Sequence, residues 1–165
     1  MKYLALTLST WFGCGYFPKG PGTAGSLGAI VVAWLLRNTM WQAPTLVVIF
    51  FLPAILSAGA TARITGKKDP QIVVIDEVIG QWIALSASFF RGHALHHVSW
   101  VYVLCAFLLF RAFDIWKPWP VRELEKLPGG FGIVLDDVMA GIYAALVLYF
   151  AGWNNSINQL FYGIS

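Results

Sequence analysis

Residues 110–141 read FRAFDIWKPWPVRELEKLPGGFGIVLDDVMAG. The stretch begins inside one apolar run and ends inside the next. It places Arg111, Asp114, Lys117, Asp136 and Asp137 at the borders of segments that otherwise avoid charge. Between them Pro118, Pro120, Gly129 and Gly130 break regular structure. The flanking runs, residues 98–116 and 132–152, are each about as long as a helix that crosses a bilayer. Polar groups beside such an apolar slab are costly and need an explanation. The stretch therefore predicts two helices joined by a polar turn, with a short helix at residues 121–127 and the acids gathered around the turn.

The whole chain suits that frame. It has 165 residues, enough for one domain over residues 1–165, and is 58% hydrophobic and only 12% charged. Soluble domains carry roughly 25% charged residues, and a chain this small cannot hide so much apolar surface from water. The expected class is an all-α, polytopic membrane bundle of four to five helical segments, with interfacial helices at both ends. The net charge of +3 is small, and no basic stripe points to nucleic acid. Cys14 and Cys105 form no metal pattern and are read as free thiols. The first fifteen residues lack a signal-peptide cleavage pattern and are read as an amphipathic helix that stays on the protein.

Outward from the opening stretch, residues 24–37 are apolar but short of a full crossing, residues 44–63 make a full span, and residues 72–90 a third. Alternating these segments across the slab gives a consistent result. The Gly20–Ser26 turn opens the first, Arg63 closes the second, Asp76 and Glu77 open the third, Asp114 closes the fourth, and Asp136 and Asp137 open the fifth. All of them fall on one side. Loops on that side carry Lys19, Arg63, Lys67, Lys68, Lys117, Arg122 and Lys126, against Arg37 and Arg91 on the other. Positive loops stay in the cytoplasm, so the acids are expected to face it.

Five carboxylates at one depth, Asp76, Glu77, Asp114, Asp136 and Asp137, do not all stay ionised without cations. With no His or Cys among them, an oxygen-only donor set suits Mg²⁺ or Mn²⁺ rather than zinc. Arg111 and Lys117 beside them fit a metal ion clamping a phosphate. The competing reading is structural: the acids pair with Arg63, Arg111 and Lys117 to hold the bundle together. The Gly20–Ser26 turn is also open to two readings. It lacks the Lys and the preceding strand of a nucleotide phosphate loop. A glycine turn running into a helix still offers free N–H groups to an anion through Thr23, Gly25 and Ser26, and equally Thr23 or Ser26 caps the helix.

Taken together, Gly22-Thr23-x-Gly25-Ser26, Asp76-Glu77-x-x-Gly80, Arg111-x-x-Asp114-x-x-Lys117-Pro118-x-Pro120 and Gly129-Gly130-x-Gly132-Ile133-x-x-Asp136-Asp137-x-x-Ala140-Gly141 resemble the phosphatidylglycerophosphatase A family. The resemblance runs from about residue 20 to residue 152. It implies a multi-pass bacterial inner-membrane enzyme that hydrolyses phosphatidylglycerophosphate to phosphatidylglycerol and phosphate with Mg²⁺. It also implies that Asp76, Glu77, Asp114, Asp136 and Asp137 form the active site, with a bilayer phospholipid as substrate. Oligomeric state is not implied. Two other functions share intramembrane acids. A CDP-alcohol-type phosphatidyltransferase needs a D-G-x-x-A-R run that is missing, since Val138-Met139-Ala140-Gly141 follows Asp137. A small cation transporter places its acids near the midplane in broken helices, whereas these sit at span ends. A haloacid-type D-x-D-x-[TV] nucleophile motif is also missing, which favours direct attack by water.

Overall fold

The computed structural model describes residues 2–39 and 41–163, and every regular element among them is helical. The order is α1 (Lys2–Ser9), α2 (Pro21–Leu35), α3 (Gln42–Thr65), α4 (Ile75–Leu85), α5 (Ala87–Phe90), α6 (Trp100–Trp116), α7 (Val121–Leu124), α8 (Gly130–Ala151) and α9 (Asn155–Tyr162). The short helix expected over 121–127 is a single turn that ends at Leu124. The expected C-terminal helix is α9, capped by Asn154, whose Oδ1 accepts from the N–H groups of Ser156 and Ile157. Residues 164–165 of that tail lie outside the described residues.

The all-helical expectation holds, and helix length and composition identify two of the expected spans among the described residues. Two helices, α3 with 24 residues and α8 with 22, are long and apolar enough to cross a membrane. The segment read as a third span, residues 72–90, is interrupted. Ser86 ends α4 by donating its hydroxyl to the Trp82 carbonyl at 2.7 Å, and α5 restarts after it. Its apolar character has another cause. Ile75, Val78, Ile79, Trp82 and Ala84 have no solvent exposure, because α4 is enclosed by α2, α3, α6 and α8. A helix that is hydrophobic all round is buried, and composition does not say whether protein or lipid covers it.

Named contacts fix α4 at the centre. The Trp82 indole N–H donates to the Ala29 carbonyl of α2 at 2.9 Å, and the Tyr102 hydroxyl of α6 donates to the Leu85 carbonyl at 3.0 Å. Against α8 the approach is backbone to backbone: a Cβ on Gly80 would meet the Phe110 ring and the Asp137 carbonyl, and one on Gly141 would meet the Gly80 carbonyl. Small residues are what let helices approach this closely. On the outer faces of α3, α6 and α8, Val48, Leu52, Leu56, Leu104, Leu108, Leu146 and Phe150 are exposed. Trp41, Trp100, Trp116, Trp119 and Trp153 stand exposed near helix ends. An apolar belt with aromatic residues near its edges suits a lipid environment.

Candidate active site

At one end of the bundle, the start of α2, the α3–α4 loop, the start of α4, the end of α6, the α7–α8 segment and the start of α8 surround a cavity of about 460 Å³. Its wall carries Asp69, Asp76, Glu77, Asp114, Glu125, Asp136 and Asp137, seven of the eight acids in the chain. Lys68 and Lys117 are the cations on that wall.

The five acids picked out from the sequence meet here, and the geometry sorts them into two sets. Asp76 and Glu77 occupy the first turn of α4, one turn before the Gly80 contact, while Asp137 sits on α8 at that contact. The close approach brings one carboxylate oxygen from each of Asp76, Glu77 and Asp137 within 4.8 Å of the others. Asp114 and Asp136 are instead paired with cations. Arg111 Nη1 lies 2.7 Å from Asp114 Oδ2 and 3.9 Å from Glu77 Oε1. Lys117 Nζ donates to Asp136 Oδ2 at 2.9 Å and lies 3.1 Å from Glu125 Oε2. Glu77 Oε2 and Asp136 Oδ1 are buried without a hydrogen-bond partner. Buried carboxylate oxygens normally have one, so these two are free for a ligand. Burial works against charge on Lys117, yet its hydrogen bonds to Asp136 and Glu125 hold its ammonium above the ordinary lysine range.

No side chain caps α2, so the capping reading of Thr23 or Ser26 falls, and the glycine turn packs beside the site. Gly20 takes the left-handed conformation (φ 71°) that lets α2 begin at Pro21. A Cβ on Gly22 would collide with Glu77 Oε1 and lie 3.2 Å from Arg111 Nη1. The bare backbone at the α2 N-terminus thus abuts the Glu77 carboxylate, where the helix dipole favours negative charge. Ser26 is fully buried and donates its hydroxyl to the Gly22 carbonyl at 3.0 Å. Gly25 packs against Val74, and Thr23 is exposed. Thr23, Gly25 and Ser26 stand off the cavity wall, while Gly20 and Pro21 lie on it. Arg111 stands behind Asp114 and Glu77, and Lys117 faces the cavity.

Sequence reasoning missed Asp69, Gln71 and Glu125, all on the cavity wall. They lie in polar loops, where acids are ordinarily solvated and carry no distinguishing pattern. The one available signal was position, since both loops lead directly into acid-bearing helices.

The family model for phosphatidylglycerophosphatase A matches residues 7–152, an interval that contains every residue lining the cavity. The chain belongs to the phosphatidylglycerophosphatase A family. It is 40% identical over 147 residues to phosphatidylglycerophosphatase A of Escherichia coli, covering 88% of this chain and 81% of that one. It is 38% identical over 146 residues to the Haemophilus influenzae protein of the same name, covering 86% and 85%. A Bacteroides thetaiotaomicron protein named provisionally as a phosphatidylinositol-3-phosphatase is 40% identical over 159 residues, covering 92% and 96%. No solved structure matches. The phosphatidylglycerophosphatase A match takes in the carboxylate triad, both ion-paired acids and their cations, and the glycine contacts that bring them together.

Proposed function

We propose that the chain is a bacterial membrane phosphatase that removes the terminal phosphate of phosphatidylglycerophosphate, leaving phosphatidylglycerol. The reading is carried by the convergence of Asp76, Glu77 and Asp137 inside a cavity that the family match covers completely. The names of the Escherichia coli and Haemophilus influenzae relatives supply the substrate.

The donor set fits Mg²⁺. Three carboxylates offer oxygens at mutual ligand distance, Glu77, one of the three, has no hydrogen-bond partner for Oε2 among the described residues, and hard oxygen donors suit that ion. Asp76, Glu77 and Asp137 would hold it, with Asp114 and Asp136 beside them. When bound, Mg²⁺ neutralises phosphate charge and polarises the phosphoryl group. The chain's own residues do the rest. Lys117 faces the cavity as the cation for phosphate oxygens, and Asp136 holds it there. Arg111, anchored by Asp114, reaches towards Glu77 and steadies its charge. A carboxylate of the group not engaged as a ligand accepts the proton of the attacking water. Water adds to phosphorus, the bond from phosphorus to the glycerol oxygen breaks, and that oxygen leaves with a proton as the alcohol.

The shorter helices α2, α4–α5 and α6 would complete a multi-pass bundle around α3 and α8. The concentration of lysine and arginine in loops on the cavity side supports a site facing the cytoplasm across the inner membrane. The substrate would then enter from the inner leaflet.

Phosphate release from phosphatidylglycerophosphate in detergent, first with Mg²⁺ and then with EDTA, tests this. Release that stops with EDTA is expected. Turnover of phosphatidylinositol 3-phosphate in preference would reassign the substrate, and release from neither lipid would overturn the proposal.

A further inference from the structure

Lys117 has two acidic partners of different character. The Asp136 side chain, on α8, is 8% exposed; the Glu125 side chain is 44% exposed and projects from the segment after α7. The backbone of that segment is fixed. A Cβ on Gly132 would collide with the Leu127 carbonyl and lie 2.9 Å from that of Glu125, so this turn is seated directly on the first turn of α8. On the other side of α7, the Tyr143 hydroxyl holds the chain by donating to the Trp119 carbonyl at 2.8 Å. What remains free to move is the Glu125 side chain. Both Lys117 and Glu125 line the cavity.

We infer that Glu125 is a releasable anion. It holds Lys117 over the cavity until substrate arrives, then yields that place to the substrate's phosphate. This rests on the proposed phosphatase reading and names a residue that sets substrate affinity within it. A phosphomonoester brings about two negative charges to an ammonium already occupied by one carboxylate. Glu125 must swing away, or phosphate binds against its charge. Half-exposed ion pairs are weak, so the exchange is easy in this direction. Asp136 does not exchange: it is buried in α8 and keeps the lysine aimed. Glu125 thus sets phosphate affinity and makes no contact with the reacting atoms.

The test compares Glu125→Gln with wild type, using Glu123→Gln as a control. Glu123 lies on the same turn and pairs with Lys126 at 2.8 Å, away from the cavity. Two quantities are read: the kcat and KM for phosphatidylglycerophosphate, and the concentration of inorganic phosphate that protects each protein from thermal unfolding in Mg²⁺. Glu125→Gln is expected to lower KM and the protecting phosphate concentration by about fivefold, the scale of one weak ion pair, with kcat kept within about twofold on the same argument. Glu123→Gln keeps wild-type values. A large fall in kcat would make Glu125 an acid or base in the reaction and overturn the inference. A raised KM, or lower thermal stability with unchanged phosphate affinity, would overturn it equally. If wild type releases nothing from the lipid, the substrate reading fails on its own. Phosphate protection then still decides whether Glu125 competes with phosphate for Lys117.

Discussion

Gly22→Ala perturbs the site through a single methyl group. Gly22 lies in the first turn of α2 in an ordinary helical conformation. Elsewhere in a helix this substitution would gain up to about 1 kcal/mol, so any loss must come from what the methyl meets. Here it meets Glu77 Oε1, well inside contact distance, with Arg111 Nη1 at 3.2 Å. Relief requires the Glu77 carboxylate to move by an ångström or more, or α2 to back away from α4. The second route is resisted by the Gly25–Val74 contact and by the Trp82 hydrogen bond to Ala29. The carboxylate is therefore the part expected to shift. Overpacking of this kind costs about 1–3 kcal/mol of stability, which leaves the protein folded. A displacement of about 1 Å at a catalytic group costs on the order of 10²-fold in rate. The expected outcome is a folded protein whose melting temperature in detergent falls by only several degrees, with a rate of phosphate release about a hundredfold lower. Adding Glu77→Asp should restore part of the rate, because the shorter side chain retracts from the methyl. Gly22→Ala with more than half of wild-type turnover would refute the placement of Glu77 against the α2 N-terminus. So would a double variant slower than either single one.

Asp137→Asn and Asp136→Asn should behave differently despite adjacency. The first removes a member of the convergent triad and should raise the Mg²⁺ needed for activity, and for protection against thermal unfolding, by at least about tenfold; the second should slow turnover while leaving the Mg²⁺ requirement unchanged. Equal shifts in both would refute the division of the acids into two sets. Lys117→Met strands the nearly buried Asp136 and should cost about 2 kcal/mol in a denaturant or thermal assay, partly recovered in the double variant with Asp136→Asn. Because Lys117 is held above its ordinary range, its contribution is complete below the unfolded lysine value and lost only as pH rises through the raised one. The deficit of Lys117→Met should accordingly persist into alkaline pH and shrink as pH falls, where protonation relieves the stranded Asp136; a deficit unchanged on acidification would refute the pairing.

The sequence was most legible where polarity interrupts apolar runs. Asp76, Glu77, Asp114, Asp136 and Asp137 stand out because a carboxylate is costly there, and alternating the helices placed them at one end, where the cavity lies. The fate of each acid was not legible. Whether a carboxylate joins the triad or pairs with a cation depends on the rotation of α4 against α8. That rotation is set by backbone contacts at Gly80 and Gly141: small-residue spacing marks a packing face but does not name the helix that meets it. The break in residues 72–90 was not legible for a related reason: an apolar run reads alike whether protein or lipid covers it, and α4 is covered by protein. The Ser26 hydroxyl illustrates a local ambiguity, since a serine in the second turn of a helix bonds its own backbone as readily as a ligand.

Charge distribution connects the fold to the chemistry. Seven of eight acids line one cavity, against two lysines on its wall and Arg111 behind it. A purely structural role would be met by pairing, and Arg111 and Lys117 do pair with Asp114, Asp136 and Glu125. Asp76 and Asp137 have no such partner, and Glu77 has only the outer reach of Arg111 at 3.9 Å. Three carboxylates crowded within ligand distance repel one another, so the fold holds them together at a cost to its own stability. Stored repulsion of this kind persists where function requires it. A transport path would spread its acids along the membrane normal. Here the cost is concentrated at one end of the bundle, beside the cation best placed to meet a phosphate.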